Sequence, residues 1–362
     1  MNPFIYQKVF TGTMAALAMV VGITRIASPD NSRQKTGSTS FLSLLLCLAL
    51  TIWIGFRPIN RAFGDTVNYA LEYASMDARH ISMDWSGEWV WQWLMNGCKA
   101  LGLSINAFFT IVAACYILSA FWAIYRYMPT DPMLGVIFLL NSLMFFPFGV
   151  NGLRNGLACH LVLLGTSFLL DDKWIPGFLI SLIAFGIHRS TMLPIAAVVF
   201  GIFVTRNLRY VLAFWVASIF ISLVAGGPIT EFFGGLGFDD RMTQYTSITD
   251  LSEFSKTGFR WDFLLYSTFP VAMAWYVCLY KKIQDNWYNV ICTAYCLCNA
   301  FWIMVIQSAF SNRFAYLSWF LYPIVIAYPL VNMPIRDDQD RFTGWILLAY
   351  CAFSVFMWFV FW

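Results

Sequence analysis

Long apolar segments recur along this chain and restrict its fold more than any other feature. A helix that crosses a bilayer needs about 20 mainly apolar residues, because backbone polar groups inside lipid must be hydrogen-bonded within the protein. The sequence therefore predicts an all-α, polytopic integral membrane protein with about 10–12 transmembrane helices. The candidate spans are residues 4–26, 41–56, 105–125, 133–150, 152–170, 174–187, 191–204, 210–226, 261–280, 288–310, 314–331 and 344–362.

The composition excludes a soluble globular protein. The chain has 362 residues, of which 60% are hydrophobic and only 11% are charged. About a quarter of an average soluble chain is charged, so a soluble domain of this size would leave much apolar surface uncovered. The net charge of +3 is small and no basic run occurs, so no nucleic-acid partner is expected.

The cysteines and the short motifs do not indicate a metal or a cofactor. Cys292, Cys296 and Cys298 in "ICTAYCLC" form the densest group, but no His or carboxylate lies close by in sequence to complete a zinc site. We therefore interpret them as small packing residues. The chain also lacks a Walker loop and an HExxH motif, and we expect no metal and no cofactor.

Short basic loops predict the orientation. The positive-inside rule assigns to the cytoplasm the loops that hold about half of the Lys and Arg, namely "RIASPDNSRQK", "YRYMPTD", "DDK", "TRNLR", "YKK" and "IRDDQDR". We expect a single transmembrane domain, 1–362, with two long outer loops, 57–103 and 227–260. Within the first loop, the Trp-rich segment 87–103 predicts an amphipathic helix at the membrane interface.

Polar residues gather on the outer side of this topology. The short spans 174–187 and 191–204 are separated by "HRSTMLP" and predict a helical hairpin that does not cross the membrane fully. The outer ends of several helices then meet the two polar loops, a layout suited to a substrate in the outer leaflet. The polar residues placed on this side are Asp65, Arg154, His188, Arg189, Arg241 and Arg313.

Arg154 lies at the outer end of a span, in "NGLRNG", between Asn151 and Asn155. One interpretation is an interface anchor, since an arginine near a helix end avoids much of the roughly 2.5–3.5 kcal/mol that it costs at the helix centre. Gly152 and Gly156 favour a binding role, because they allow a bulky anion or another backbone to approach. A guanidinium fork suits a diphosphate, and the sequence shows no structural partner for Arg154.

The segment "GIHRSTMLP" contains His188 and Arg189 between two apolar halves. His188 is a candidate general base near neutral pH, and Arg189 is a candidate group for anion binding. Alternatively, the segment is a polar turn that caps two short helices. His160 would lie about 9 Å deeper than Arg154 and is interpreted as a packing histidine. Arg313, in "SNRFAY", is either an interface anchor or a further arginine of the same outer face.

The segment "FGDTVNYALEY" places Asp65, Tyr69 and Tyr73 on one face of a helix, because they are spaced by four. A carboxylate and two phenols suit sugar hydroxyls and sugar rings. The alternative is structural, with Asp65 or Thr66 capping the helix. The other acidic residues of this loop are interpreted as solvated surface: Glu72, Asp77, Asp84 and Glu88.

The order of these segments resembles the EpsG family, the Wzy-like polymerases of bacterial exopolysaccharide, capsule and O-antigen. The matching motifs, over residues 64–326, are "GDTVNYALEY", "GLRNGLACHLVLL", "FGIHRSTMLP", "DDRMTQY" and "SNRFAYLSWFLYPIVI". The family usually has RQG where this chain has Arg154-Asn155-Gly156, and a small residue where it has Arg189. A GT-C-like arrangement of the helices is a further expectation for the fold.

The resemblance implies a polymerase that joins undecaprenyl-diphosphate-linked oligosaccharide units at the outer face of the bacterial inner membrane. A hydroxyl of one unit attacks the anomeric carbon of another chain, and undecaprenyl diphosphate leaves. His188 and Asp65 are the candidate bases, and outward arginines stabilise the leaving charge without a metal. A flippase and a chain-length regulator of the same pathway are the expected protein partners. Substrate contacts are expected from Arg154, Arg189, Arg241, Arg313, Asn151, Asn155, Tyr69 and Tyr73.

Two other classes of protein remain open at this point: a transporter or flippase of a lipid-linked sugar, and a related ligase-type transferase. Transporters often carry matched broken helices in two related halves. This chain has one interrupted pair, 174–204, and no clear counterpart in sequence. The product separates the classes, since only a polymerase converts lipid-linked units into a ladder of chain lengths.

The two candidate bases can be ranked by substitution. If His188 is the base, His188→Ala lowers turnover more than Asp65→Asn, because a general base must accept the hydroxyl proton in the transition state. The measurement is the rate of ladder formation by each purified variant from lipid-linked repeat units. The reverse order of the two rates would assign the base role to Asp65.

Overall fold

The structure of the chain is a computed structural model that describes residues 2–27, 36–77, 85, 87–205, 207–235, 258–308 and 311–361. Within these ranges the chain forms helices joined by turns, and no β-strand occurs there. Among the described residues, six helices are long and apolar enough to cross a membrane. The predicted all-α polytopic class is therefore confirmed, while the number of crossings and the GT-C-like arrangement stay predictions.

The α-helices are numbered here in chain order. They are α1 (Pro3–Ala27), α2 (Thr36–Gly55), α3 (Thr66–Ser75), α4 (Trp89–Ala100), α5 (Ile105–Tyr127), α6 (Pro132–Leu140), α7 (Phe145–Val150), α8 (Leu153–Leu169), α9 (Trp174–Ile187), α10 (Met192–Phe203), α11 (Leu208–Gly235), α12 (Trp261–Ala274), α13 (Asn286–Met304), α14 (Asn312–Trp319), α15 (Tyr322–Asn332) and α16 (Gln339–Phe361). A π-helix, Trp275–Tyr280, directly follows α12. The long apolar helices are Pro3–Ala27, Ile105–Tyr127, Leu208–Ile229, Trp261–Tyr280, Asn312–Asn332 and Gln339–Phe359.

Two breaks in the helices concern the predicted spans. The break in "HRSTMLP" is confirmed, since α9 ends at Ile187 and His188 has an extended backbone. A continuous span over 133–150 is wrong, because α6 and α7 are separate helices. The Asn141 side chain donates to the Ile137 carbonyl at 2.9 Å, and Pro147 has no amide hydrogen with which to continue a helix.

The first compact unit comprises Met1–His188 and Ala327–Trp362. Within it, α1 packs against α16, and α5 packs against both α2 and α8. Helices α8 and α9 approach closely, since a Cβ on Gly165 would lie 3.1 Å from the Gly177 carbonyl oxygen. Small residues at such a crossing are typical of helices that pack within membranes.

The second compact unit comprises Arg189–Ile326, in which α13 packs against α10, α11 and α14. Buried hydrogen bonds converge on Asn299 of α13. Its Oδ1 accepts from the Trp215 indole at 2.7 Å, and its Nδ2 donates to the Ser267 and Ser318 hydroxyls at 3.1 and 2.9 Å. Asn299 is fully buried, and inside a membrane such polar groups must find their partners in the protein.

The cysteine group that stands out in the sequence lies in the same helix, α13. Cys292, Cys296 and Cys298 are buried, and each is a free thiol. Buried thiols pack like small apolar side chains, which is the interpretation that the sequence favours.

Replacing Asn299 by Leu should destabilise the protein by about 1–3 kcal/mol, because Trp215 and two serines each lose a buried partner. The measurement is thermal unfolding of the purified protein in detergent. Asn286→Ala, at the exposed first residue of α13, is the matched control and should leave the melting temperature nearly unchanged. Equal melting temperatures for Asn299→Leu and the wild type would contradict a stabilising role.

Candidate functional site

Four helices of the first unit contribute to one polar cluster. Arg154 lies in the first turn of α8, His188 follows the last residue of α9, and Glu88 immediately precedes α4. Tyr69 lies within α3. Charged side chains cost less free energy at helix ends, where backbone groups are unsatisfied and water is near, than in the middle of an apolar span.

Glu88 joins the two basic side chains of this cluster. Its Oε2 accepts a hydrogen bond from Arg154 Nη1, and its Oε1 contacts His188 Nδ1. The exposed fractions of the three side chains are 17% for Glu88, 24% for Arg154 and 14% for His188. Since screening by water and salt is weaker for partly buried charges, these pairs interact more strongly than pairs on an open surface.

Two interpretations from the sequence are wrong at this cluster. The sequence shows no partner for Arg154, whereas the structure gives it two, Glu88 and Tyr69. The sequence also favours a solvated position for Glu88, whereas its carboxylate is largely buried. Glu88 is separated from Arg154 by 66 residues and from His188 by 100, so no rule of local spacing connects them.

Glu88 is thus the candidate that sequence reasoning misses. One local signal is present, because Glu88 immediately precedes the Trp-rich helix α4 and a carboxylate is favoured at a helix N-terminus. That signal indicates where a helix begins. It does not indicate contact with Arg154 and His188, which depends on how three helices pack.

Tyr69 holds the Arg154 guanidinium from a second direction. Its hydroxyl accepts from Arg154 Nε at 3.2 Å, and its ring packs against Trp91 with the centroids 5.3 Å apart. Because Tyr69 is buried, its ring restricts the orientation of the guanidinium. The Nη2 donors of Arg154 make no hydrogen bond to the residues that the structure describes, so they are available to a bound oxyanion.

A close contact between α4 and α9 brings Glu88 to His188. A Cβ on Gly186 would overlap Val90 and would lie 2.6 Å from Trp89 Cε2. Only glycine therefore allows α4 to lie this close to the end of α9. The position of Glu88 relative to His188 depends on that approach, since Glu88 directly precedes Trp89.

Asn151 and Asp65 are brought together by a turn. The Asn151 Oδ1 accepts from the Asp65 amide at 2.8 Å, and Gly64 has a φ of 53° and no side chain to overlap Asn151. Asp65 lies at the position before α3, but its side chain makes no capping hydrogen bond, so the structural alternative of a cap formed by this side chain is wrong. Its Oδ1 instead accepts from Asn68 at 3.2 Å, and the Thr66 hydroxyl donates to the last carbonyl of α7.

Three other residues that the sequence singles out face the protein interior. The buried Tyr73 donates to a backbone carbonyl at 2.8 Å, and the buried Asn155 accepts from the Cys159 thiol at 3.2 Å. These bonds give both residues a structural role. His160 is 1% exposed and stacks on Tyr116 with the centroids 4.1 Å apart, which confirms its interpretation as a packing histidine.

The glycines beside Arg154 allow close packing within the chain. A Cβ on Gly156 would lie 2.7 Å from the Phe148 carbonyl oxygen. One on Gly152 would lie 2.7 Å from Phe148 Cδ1. Of the two interpretations from the sequence, the close approach of another backbone is the one that the structure realises at Gly156.

The remaining candidates from the sequence are three arginines. Arg189 and Arg313 belong to the second unit, in a short 3-10 turn and at the start of α14. Arg241 lies outside the residues that the structure describes. A contact of these three arginines with a substrate stays a prediction.

A second guanidinium is buried behind Tyr69. Arg57 is 2% exposed, its Nε donates to Thr66 Oγ1 at 3.0 Å, and its Cζ lies 4.0 Å from the Phe109 ring centroid. Burial lowers the pKa of Arg57 to about 10, against the opposing effect of Tyr6 and Tyr69. Since this pKa is well above 7, Arg57 remains charged at neutral pH and adds a positive field to this part of the unit.

The contacts of Glu88 determine the tautomer of His188. The Glu88 carboxylate forms an ion pair with Arg154. An ionised carboxylate only accepts hydrogen bonds, so Nδ1 of His188 must carry the hydrogen that lies between them. In a neutral imidazole the basic lone pair is then on Nε2. The cluster therefore combines an oriented base with a guanidinium that can bind an anion.

These features define a polytopic helical membrane protein with a carboxylate that bridges an arginine and a histidine at helix ends. The chain belongs to the EpsG family, whose family model matches residues 40–362. EpsG is a Wzy-like polysaccharide polymerase family, so the resemblance seen in the motifs is confirmed and the chain has a polysaccharide polymerase-like role. Searches of curated proteins and of solved structures give no significant match.

The approach of α4 to α9 can be tested at Gly186. Gly186→Val should lower the free energy of unfolding by about 1–3 kcal/mol, because the added side chain overlaps Val90 and Trp89. Gly97→Ala in α4 is the matched control, since a Cβ there meets nothing within 4 Å and alanine favours the helix. Thermal unfolding measures both effects. A Gly186→Val protein as stable as the wild type would contradict the contact.

Proposed function

We propose that this protein joins oligosaccharide units carried on undecaprenyl diphosphate into polysaccharide, by glycosyl transfer at the outer face of the bacterial inner membrane. The observation that carries the proposal is the bridge from Arg154 through Glu88 to His188, in a member of a polysaccharide polymerase family. This bridge combines the two groups that the reaction needs, a base for the attacking hydroxyl and a cation for the leaving diphosphate.

His188 is the proposed general base. The acceptor hydroxyl transfers its proton to Nε2 while its oxygen forms a bond to the anomeric carbon of the donor. Glu88 stabilises the resulting imidazolium through the hydrogen bond at Nδ1, as the carboxylate of a catalytic triad does. Asp65 is the second candidate for the base, because it lies one helical turn from Tyr69 and Asn151 holds its backbone amide.

Arg154 is the proposed group that stabilises the leaving diphosphate. As the bond from the anomeric carbon to the phosphate oxygen breaks, the electron pair stays on the diphosphate. The Nη2 donors of Arg154 stabilise this charge, while Glu88 and Tyr69 hold the guanidinium in place. A fixed guanidinium supplies this positive charge without a metal. Further substrate contacts are proposed from Asn151, Tyr69, Arg189, Arg241 and Arg313.

An aromatic surface formed by Trp85 and the first turns of α4 supports a substrate that carries sugars and a prenyl chain. Trp85 is 68% exposed, and its ring lies 4.4 Å from the Trp93 ring and 5.1 Å from the Trp89 ring, measured between centroids. Exposed indole rings suit both a membrane interface and the apolar face of a sugar.

We propose that a flippase supplies the lipid-linked unit and that a chain-length regulator acts on the same protein.

The proposal is tested with Glu88→Gln. The glutamine amide is neutral and donates hydrogen bonds, so it no longer holds His188 in the tautomer whose Nε2 is basic. We expect the rate of polymer formation to fall by about 10²-fold or more. The assay follows the ladder of chain lengths that the purified protein makes from lipid-linked repeat units.

Glu72→Gln is the matched control for Glu88→Gln. Glu72 lies in α3 and is exposed, and it interacts with Arg154 only through its charge. The control removes the same charge but leaves the bridge intact, so its rate should stay close to that of the wild type. Equal rates for Glu88→Gln and the wild type, with both proteins folded, would overturn the proposed role of the bridge.

A further inference from the structure

A cavity of about 640 Å³ lies within the second unit, and it plays no part in the reaction proposed above. It lies where the chain passes from α10 to α11 and where the π-helix leads to α13. Its volume falls within the range of about 300–1,000 Å³ that is usual for small-molecule sites. Its lining includes Arg209, Lys282, Asn289, Val204 and Tyr210.

Two cationic side chains line the cavity, and both belong to basic loops of the sequence. Arg209 and Lys282 are exposed, and neither forms an ion pair with any residue that the structure describes. The nearby Asp285 directs its side chain to the Tyr288 amide, at 2.8 Å, and so caps α13. Among the residues that the structure describes, the lining of the cavity includes these two cations and no carboxylate, which favours an anionic ligand.

A buried amide also faces the cavity. Asn289 is 9% exposed, and its Oδ1 accepts from the Cys278 thiol at 3.5 Å. Its Nδ2 makes no hydrogen bond with a described residue. These donors are therefore available to a polar group of a ligand that enters the cavity.

The backbone at Lys282 is unusual for a lysine. Its φ is 57°, in the left-handed region that glycine favours at the end of a helix. The Lys281 amide donates to the Tyr276 carbonyl at 2.9 Å, and the Ile283 amide donates to the Val277 carbonyl at 3.1 Å, so this conformation closes the π-helix. Glycine would fit here with less strain, but it would supply no charge to the cavity.

Apolar side chains continue from the cavity onto the outside of the unit. Val204 and Tyr210 line the cavity and are 67% and 74% exposed, and the neighbouring Phe203 is 68% exposed. The sequence predicts that the loops "TRNLR" and "YKK" face the cytoplasm, where anionic lipid headgroups attract basic residues. A ligand with both an anionic head and an apolar tail matches this surface.

We propose that this cavity binds the phosphate of an anionic phospholipid. Arg209 binds the phosphate through its guanidinium fork, Lys282 adds a point charge, and the Asn289 amide donates a hydrogen bond. The acyl chains lie along Val204 and Tyr210. The bound lipid anchors the loop before α11 to the loop before α13.

The test is native mass spectrometry of the full-length protein released from detergent, with phosphatidylglycerol and phosphatidylcholine added in equal amounts. The wild type should retain phosphatidylglycerol about 20-fold or more over phosphatidylcholine, because the two basic side chains contribute about fivefold each, and Lys282→Gln should lower this preference about fivefold. Arg209→Gln combined with Lys282→Gln should abolish the preference. Lys281→Gln is the matched control, because Lys281 is the exposed neighbour that does not line the cavity, and it should retain the lipid fully.

Lys282→Gly separates binding from folding. Glycine relieves the strain of the left-handed backbone, so this variant should keep or raise the melting temperature without lipid while it loses the lipid. Loss of retention in Lys281→Gln equal to that in Lys282→Gln would overturn the site, since surface charge alone would explain it. Equal retention of the two lipids would also overturn it. Displacement of the lipid by millimolar inorganic phosphate would identify a soluble phosphate ligand and overturn the lipid proposal.

Discussion

The candidate site depends on the contacts that the Glu88 carboxylate makes with Arg154 and His188. The carboxylate lies between a guanidinium and an imidazole at the ends of two apolar helices, where each charge alone would be costly. Because the carboxylate accepts hydrogen bonds from both side chains, it lowers the free-energy cost of burying their charges. It contacts Nδ1 of His188, so the basic nitrogen, Nε2, faces away from the carboxylate. It also holds one edge of the Arg154 guanidinium. Without this carboxylate, Arg154 would keep only one hydrogen bond to a described residue, the one to Tyr69, and His188 would lose the contact that fixes its tautomer.

Close helix packing makes that contact possible. Gly186 lets α4 lie against α9, and Gly165 and Gly177 let α9 lie against α8. In a membrane, helices gain little from burying apolar surface, since lipid is also apolar, so close contact and buried hydrogen bonds supply the specificity. In the second unit, buried side-chain hydrogen bonds around Asn299 supply this specificity.

The two basic regions of the chain differ in how their charge is balanced. In the candidate site, Arg154 is paired with Glu88 and held by Tyr69, which leaves only one edge of the guanidinium for a ligand. This arrangement suits a group that must be stabilised during one step and then released. In the cavity of the second unit, Arg209 and Lys282 pair with no carboxylate of the described part of the chain, which suits a ligand that stays bound.

The sequence by itself determined the helical membrane class, the break at His188, the packing role of His160 and the family, because apolar length, turn residues and motif order are local properties of the chain. Only the tertiary structure decided that Glu88 joins Arg154 to His188, and that Asn155 and Tyr73 face inward. The structure also showed that the segment 133–150 is two helices, although the residues that explain the break, Asn141 and Pro147, act locally. A helix exposes every side chain at a known angle, but which neighbour meets that side chain depends on contacts between residues far apart in sequence. A single carboxylate in a polar loop therefore has no local signature of its role.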